Sequence, residues 1–181
     1  KDIWMFVGTG VISLTFFSLC YFFTILESGA SVAVILLYTS PIFILILSAI
    51  LFKEKITKIK LFALILTFVG CVFVTGIGGE NHLSAKGLFI GLCAGFGYAL
   101  YSIFSRVDLN KGYNSFTITF YTFLVATICL IPVTDWGVMK DVVLESGESV
   151  GVYILFALTS TVIPYILYTF GLKKLTPAKA L

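Results

Sequence analysis

Six runs of mostly apolar residues, separated by short patches of charge, constrain this chain more than any other feature. The runs lie at about 3–26, 30–52, 59–77, 88–105, 116–133 and 150–172. At a rise of ~1.5 Å per residue, a helix over each run is long enough to cross a hydrocarbon core ~30 Å thick. Only 12% of the residues are charged, whereas an ordinary soluble domain has about a quarter. The sequence therefore predicts membrane spans.

The predicted spans must be helical. Every backbone donor and acceptor in lipid needs an internal partner, and the sequence lacks the alternation of apolar and polar residues that marks a barrel strand. We therefore predict an all-α, polytopic transmembrane bundle with six spans. The sequence begins at Lys1 without an initiator methionine and stops at Leu181, where a further apolar run begins, so we expect a fragment of a longer protein.

Lysine and arginine residues are divided unevenly between the two sides of these spans. If the N-terminal end is cytoplasmic, the outer side holds only Lys86 and Lys140. The cytoplasmic side then holds Lys1, Lys53, Lys55, Lys58, Lys60, Arg106, Lys111, Lys173, Lys174 and Lys179. This positive-inside bias predicts that both ends of the chain lie at the cytoplasmic face of the plasma membrane. The net charge of +3 reflects the rim of the spans, so we expect no nucleic-acid binding.

Side chains that catalyse reactions or bind metals are scarce and scattered. The single histidine, His82, lies in a predicted outer loop without a second ligand, and the four cysteines lie in apolar runs without CxxC spacing. Serine and threonine residues in the spans have no histidine or carboxylate at the same depth to activate them. We predict no metal site, no cofactor and no catalytic activity. Glu27 and Arg106 end their spans, so we expect any proton-coupling carboxylate to lie outside this part of the protein.

The ends of the first and sixth spans are similar at a constant offset. Identical residues coincide at three positions, which are Tyr21 and Tyr168, Phe23 and Phe170, and Ala33 and Ala180. The two copies are five spans apart in chain order, an odd step, so they cross the membrane in opposite directions. The copy that ends inside has Lys173 and Lys174 where the copy that ends outside has Leu26 and Glu27. An inverted repeat under the positive-inside rule has this pattern.

Several motifs resemble the EamA domain of the drug/metabolite transporter superfamily. SPIF at 40–43, FKEKIT at 52–57, LFAL at 61–64 and GCVFVTG at 70–76 resemble the end of one EamA domain. GYALYS at 97–102 resembles the opening of a second EamA domain. The resemblance implies a transporter of ten helices, built from two inverted repeats, with both termini in the cytoplasm.

By this resemblance the chain corresponds to family helices three to eight. Residues 1–80 would supply the last three spans of the first EamA repeat. Residues 81–181 would supply the first three spans of the second repeat, which is truncated before its last two.

Polar-tipped aromatic residues and prolines within the spans are the predicted lining of a substrate cavity. A tyrosine combines apolar surface with a hydroxyl that orients a polar group, and a proline within a span bends the helix and frees a carbonyl. The predicted lining residues are Tyr21, Tyr38, Ser40, Pro41, Tyr98, Tyr101, Thr161, Pro164, Tyr165 and Tyr168. Other roles remain open, because tyrosines near span ends can anchor the interface, hydroxyls can bond their own helix, and a proline can bend a lipid-facing helix.

Small residues recur at every fourth position of the fourth span: Gly87, Gly91, Gly95 and Ala99. Such a row lets a neighbouring backbone approach closely, so we predict tight helix packing and leave homodimerisation through this face open. We expect Glu54 to pair with a nearby lysine or a helix end, and the outer loop at 133–149 to form a short interfacial helix.

These features together predict a membrane transporter of small metabolites, amino acids or drug-like amphiphiles. Two inverted repeats would rock around a midplane cavity, and the family resemblance favours export. Since no charge lies at midspan, we expect neutral or zwitterionic solutes. Two alternatives remain at this point: a nucleotide-sugar or sugar-phosphate exchanger of the same superfamily, and a membrane scaffold subunit that transports nothing.

Overall fold

The computed structural model describes residues 3–75, 84–145 and 150–175, which form helices joined by short links. In chain order these helices are α1 (Ile3–Gly8), α2 (Phe16–Ser28), α3 (Ala30–Leu37), α4 (Ser40–Phe52), α5 (Lys58–Thr75), α6 (Ala85–Asn110), α7 (Ser115–Leu130), α8 (Trp136–Glu145), α9 (Val150–Ala157) and α10 (Ile163–Lys174). A π-helical segment, Thr9–Thr15, makes α1 and α2 one continuous helix, and a second, Leu158–Val162, does the same for α9 and α10.

Among the described residues, five stretches are long and apolar enough to cross a membrane, which confirms the predicted all-α, polytopic bundle. They are Trp4–Ser28, Ala30–Phe52, Ala85–Asn110, Ser115–Val133 and Val150–Lys173. The remaining predicted span, at 59–77, coincides with α5, whose 18 residues would extend ~27 Å at a rise of ~1.5 Å per residue. Its last two residues lie outside the described ranges, so its crossing of the membrane stays a prediction.

Helix geometry is irregular immediately before each of the two predicted kinks. Tyr38 and Thr39 form a turn between α3 and α4, and Pro41 lies in the first turn of α4. Proline is tolerated there because a first-turn N–H has no helical partner. Pro164 lies within the continuous helix formed by α9 and α10, directly after the π-helical segment Leu158–Val162. Such π-helical segments are frequent at functional sites.

The helix α6, which carries the predicted row of small residues, lies at the centre of the bundle. It contacts α2, α3, α4, α7 and α10. A Cβ atom on Gly95 would lie 2.7 Å from Thr39 Oγ1 and 3.1 Å from the Leu36 carbonyl oxygen. Gly91 approaches the Leu36 side chain as closely. A larger side chain at Gly91 or Gly95 would push α3 away, and within this chain α3 already covers that part of the row.

The same face of α6 changes character after Gly95. Ala99 continues the row of small residues, and Tyr98, Ser102 and Ser105 lie beside it at intervals of three or four residues, the repeat of a helix. Small side chains therefore hold the first half of α6 close to α3, whereas large and polar side chains occupy the second half.

The loop at 133–149 contains the predicted short helix, α8. Asp135 Oδ1 accepts hydrogen bonds from the backbone N–H groups of Gly137 (3.0 Å) and Val138 (3.1 Å), and so caps its first turn. Trp136 and Val142 are exposed. The position of α8 at a membrane interface stays a prediction.

Candidate functional site

Two adjoining cavities share Tyr98 as a common wall. The first, of about 350 Å³, lies between the α3–α4 break, α5 and α6. The second, of about 290 Å³, lies between α6 and the residues on either side of the kink at Pro164. Seven of the ten predicted lining residues border one or the other: Tyr38, Ser40, Pro41, Tyr98, Pro164, Tyr165 and Tyr168.

The first cavity owes its shape to the interruption between α3 and α4. The Thr39 hydroxyl donates to the Leu36 carbonyl at 2.6 Å, and this bond satisfies a carbonyl at the end of α3. The turn presents Tyr38 and Ser40 to the cavity. The opposite wall is α5, which contributes Lys60, Ala63, Leu64 and Thr67, spaced as one face of a helix.

Lys60 brings a charge into this first cavity, which the sequence prediction had assigned to the cytoplasmic rim. Its Nζ lies 3.5 Å from Glu54 Oε2, and the exposed fractions of the two side chains are 20% and 11%. Glu54 therefore pairs with a nearby lysine, as expected. Glu54 Oε1 is buried and has no hydrogen-bond partner. The cavity wall thus holds one cation whose charge is balanced by one anion.

The second cavity is lined mainly by tyrosines. Tyr98 lies opposite Tyr165 and Tyr168, and Ser160 and Pro164 complete the lining. The Tyr168 hydroxyl is 2.8 Å from Ser102 Oγ, so a hydrogen bond fixes the direction of this ring. The wall therefore offers apolar ring surface together with hydroxyl groups, which suits an amphiphilic solute.

Tyr101 supports the second cavity from behind. It is only 2% exposed, and its ring centroid lies 4.9 Å from that of Tyr165 in an edge-to-face arrangement. Its hydroxyl forms a 3.0 Å hydrogen bond with Thr169 Oγ1. Tyr101 therefore fixes the position of a lining tyrosine and borders neither cavity itself.

Two further predicted lining residues lie away from both cavities. Tyr21 packs against Phe17, with ring centroids 5.6 Å apart, and Phe17 in turn packs against Tyr98 at 5.4 Å. Thr161 contacts the Ser160 hydroxyl at 3.4 Å. Ser160 takes the lining position next to Pro164 instead.

Asp108 is a buried carboxylate that lies beyond the predicted end of its span. The predicted span stops at 105, whereas α6 continues to Asn110 and Asp108 is 1% exposed. Oδ2 accepts a 3.4 Å hydrogen bond from the Thr9 hydroxyl, and Oδ1 is buried without a partner. The sequence analysis did not single out Asp108, because its burial depends on tertiary packing.

Arg106 connects the end of α6 to the end of α10. Its guanidinium group donates hydrogen bonds to the carbonyl oxygens of Leu172 and Leu175, the latter at 3.2 Å. Carbonyl groups in the last turn of a helix have no helical partner and carry the negative end of the helix dipole. Arg106 therefore caps α10.

A larger hollow, of about 600 Å³, lies between α7 and the second kinked helix. Its lining is mostly apolar, from Phe116, Phe120, Phe123 and Leu124, with hydroxyl groups from three threonines and Tyr121, and its described lining has neither the ion pair of the first cavity nor the facing tyrosines of the second. The described residues also contain no cluster of metal-binding side chains. The paired cavities around Tyr98 are therefore the better candidate site.

The EamA-like transporter family matches residues 1–76 and 85–181. The chain belongs to this family. With its apolar helices, family membership makes it part of an integral membrane protein.

Curated relatives of this EamA-like chain are named as transporters. An uncharacterized transporter of Archaeoglobus fulgidus is 28% identical over 168 residues, which cover 90% of this chain and 57% of the relative. A second from that organism is 31% identical over 58% of this chain and 36% of the relative. Uncharacterized transporter YxxF of Bacillus subtilis is 26% identical over 64% of this chain and 37% of the relative. The EamA-like chain thus spans about half, or less, of the length of these relatives.

A solved crystal structure shares the fold of the EamA-like chain. The TM-score is 0.57 at 18% sequence identity, and the match covers 68% of this chain and 46% of the other. At that identity the likeness concerns the fold alone.

Proposed function

We propose that the full-length protein transports small metabolites, amino acids or drug-like amphiphiles across the plasma membrane by alternating access, in the direction of export. Residues 1–80 and 81–181 would belong to two inverted repeats, with both ends of this chain in the cytoplasm. The separate family matches at 1–76 and 85–181 support this division.

One observation carries the proposal: a cavity lies on each side of Tyr98, and each is bordered by a helix irregularity next to a proline. Interrupted helices near the midplane release backbone groups to a solute and give the two repeats points at which to bend. Tyr98 lies on α6, between the two points at which the helices would bend.

The charges of the first cavity favour a solute without net charge. Glu54 balances Lys60, so the described lining of the cavity offers no excess cation of the kind that a phosphate group would require. A zwitterion or a neutral amphiphile fits the balanced pair and the surrounding rings. The same observation disfavours a sugar-phosphate exchanger, since among the described lining residues Lys60 is the cation that would recognise a phosphate, and it is already paired.

Flux through liposomes containing the purified full-length protein tests the proposal. The probes are radiolabelled phenylalanine, phenethylamine and a hexose phosphate, which differ in charge and in ring surface. We expect flux of phenylalanine above that of empty liposomes, and Tyr98→Ala should lower it by about tenfold or more, because an aromatic contact with a hydrogen bond is worth on the order of 1–3 kcal/mol.

Tyr21→Ala is the matched control, since Tyr21 borders neither cavity; we expect it to change flux less than twofold or so. Preferential flux of the hexose phosphate would favour the exchanger alternative. No flux of any probe, from protein that is folded and correctly inserted, would favour the scaffold alternative.

A further inference from the structure

A row of polar side chains leads along α6 from the tyrosine cavities to Asp108. Tyr98, Tyr101, Ser105 and Asp108 recur at intervals of three or four residues, so they lie on neighbouring turns of the helix. All except Tyr98, which lines the cavities, are buried. A polar row in the interior of a membrane bundle is costly and is typical of a path for solutes or protons.

Hydroxyl groups occupy the interval between Tyr101 and Asp108. The Tyr101 hydroxyl bonds with Thr169, and the hydroxyls of Ser105 and Thr119 lie close enough to act on it. Ser105 Oγ and Thr119 Oγ1 are buried and form no hydrogen bond of their own. Each hydroxyl can both donate and accept, which is the property that a proton relay requires.

An ionised Asp108 would be unfavourable in this conformation. The carboxylate is 1% exposed and receives one long hydrogen bond, from Thr9, while Oδ1 receives none. A buried charge with incomplete pairing bears most of its desolvation cost. That cost disappears if the carboxylate binds a proton, or if α6 separates from the segment that carries Thr9 and admits water. Proton occupancy and conformation are therefore linked.

Little compensating charge faces Asp108 from the surrounding helices. The helix from Ile3 to Thr15 has no ionisable side chain. Lys111 acts on Asp108, but its Nζ is 2.6 Å from Met5 Sδ. Arg106 caps α10. The other ionisable side chains described on the adjoining link, α7 and α10 are those of Tyr113, Tyr121, Cys129, Tyr165, Tyr168 and Lys173.

We propose that Asp108 is a proton-binding site and that transport is coupled to proton movement through it. The inference rests on the proposed transport function. A proton from water forms an O–H bond with the carboxylate when the Asp108 end of α6 is hydrated. The neutral acid is then buried, as in this structure, and the proton returns to water along the hydroxyl row when the tyrosine cavities open.

The geometry favours a proton over a metal cation. Hard cations take about six or more oxygen ligands in proteins. In the part of the chain that the structure describes, Thr9 Oγ1 at 3.4 Å is the hydroxyl that bonds the carboxylate.

Infrared difference spectroscopy of the purified full-length protein tests proton binding without a transported solute. The difference between spectra of the wild-type protein in mildly acidic and in alkaline buffer should show a protonated-carboxyl C=O band, and Asp108→Asn should abolish it. Asp141→Asn, which removes an exposed carboxylate of α8, should leave the band unchanged. Thr9→Val removes the hydroxyl that bonds Asp108, so it should shift the frequency of the band. If Asp108→Asn does not fold, this shift assigns the band to Asp108 instead.

The inference is overturned if this band is absent, if it survives Asp108→Asn, or if added Na⁺ rather than pH changes the carboxylate bands. In liposomes, an imposed pH gradient should drive accumulation of phenylalanine by the wild-type protein, while Asp108→Asn should retain exchange of labelled for unlabelled solute but lose accumulation. Exchange by both proteins without any effect of the gradient would overturn coupling and leave the transport function standing. Proton binding without flux of any probe would overturn the transport function alone.

Discussion

At the scale of single residues, the Lys60–Glu54 pair sets the electrical balance of the first cavity. Both side chains are largely covered, and one Glu54 oxygen has no other partner. A pair in this setting contributes little net stability when intact, but the loss of one member leaves the other as a buried, uncompensated charge. The effects on stability of removing the two charges should therefore depend on each other.

Lys60→Met should lower the thermal stability of the full-length protein, by about 1–3 kcal/mol, because Glu54 would lose its cation. Adding Glu54→Gln should restore most of that loss, and thermal unfolding in detergent would measure both. Lys58→Met, at an exposed position of the same helix, is the control and should have no effect. A double variant no more stable than Lys60→Met would show that the two charges act independently.

Residue type and span position were enough to select Tyr38, Tyr98, Tyr165 and Tyr168, each of which borders one or both of the two adjoining cavities. The same reasoning missed Lys60, because a charge at the end of an apolar run is usually at the membrane interface. The spacing of Lys60 and Thr67 on one face of α5 was the available signal. Burial depends on which helix packs over a side chain, and a single sequence does not contain that information.

At the scale of elements, the close approach of α6 to α3 depends on positions without side chains. A Cβ on Gly95 would approach both the Thr39 hydroxyl and a backbone oxygen, and the backbone cannot move without shifting α3. Gly70 on α5, by contrast, has nothing within 4 Å of its Cβ position. A comparison of alanine substitutions at these two glycines therefore separates the effect of packing from the effect of helix propensity.

Gly95→Ala should lower thermal stability, with an overpacking cost of about 1–3 kcal/mol. Gly70→Ala should leave stability unchanged or raise it by roughly 0.5–1 kcal/mol, since alanine is the better helix former. Unfolding of both variants in the same detergent provides the comparison. Equal stability of the Gly95→Ala and Gly70→Ala variants would mean that α3 moves to accommodate the added methyl group at little cost.

Element boundaries were predicted less well than element types. The fourth predicted span ends at 105, where Arg106 interrupts the apolar run, but α6 continues to Asn110. The extension is possible because Arg106 caps α10 and Asp108 is covered by the helix that carries Thr9. Both partners are distant in sequence, so the pattern of α6 alone could not reveal them.

At the scale of the whole molecule, the proposed orientation in the membrane rests on the distribution of lysine and arginine. Cysteine introduced at Lys140 on α8 should react with an impermeant thiol reagent added to intact cells, in a protein without its native cysteines. Cysteine at Asn110, at the end of α6, should react only after the membrane is made permeable. Both positions are exposed, so a difference in their labelling would arise from the side of the membrane on which each lies. The opposite labelling pattern would invert the proposed topology.

The division of α6 into a glycine half and a tyrosine half has an evolutionary consequence. Turns up to Gly95 hold α6 close to α3, while Tyr98 borders both candidate cavities. If the cavities bind the solute as proposed, a lineage can exchange Tyr98 and the tyrosines opposite it and acquire a different cargo without disturbing the close approach of α6 to α3. Selection for folding and selection for a new solute then act on different turns of one helix, so specificity can diverge widely while the architecture persists.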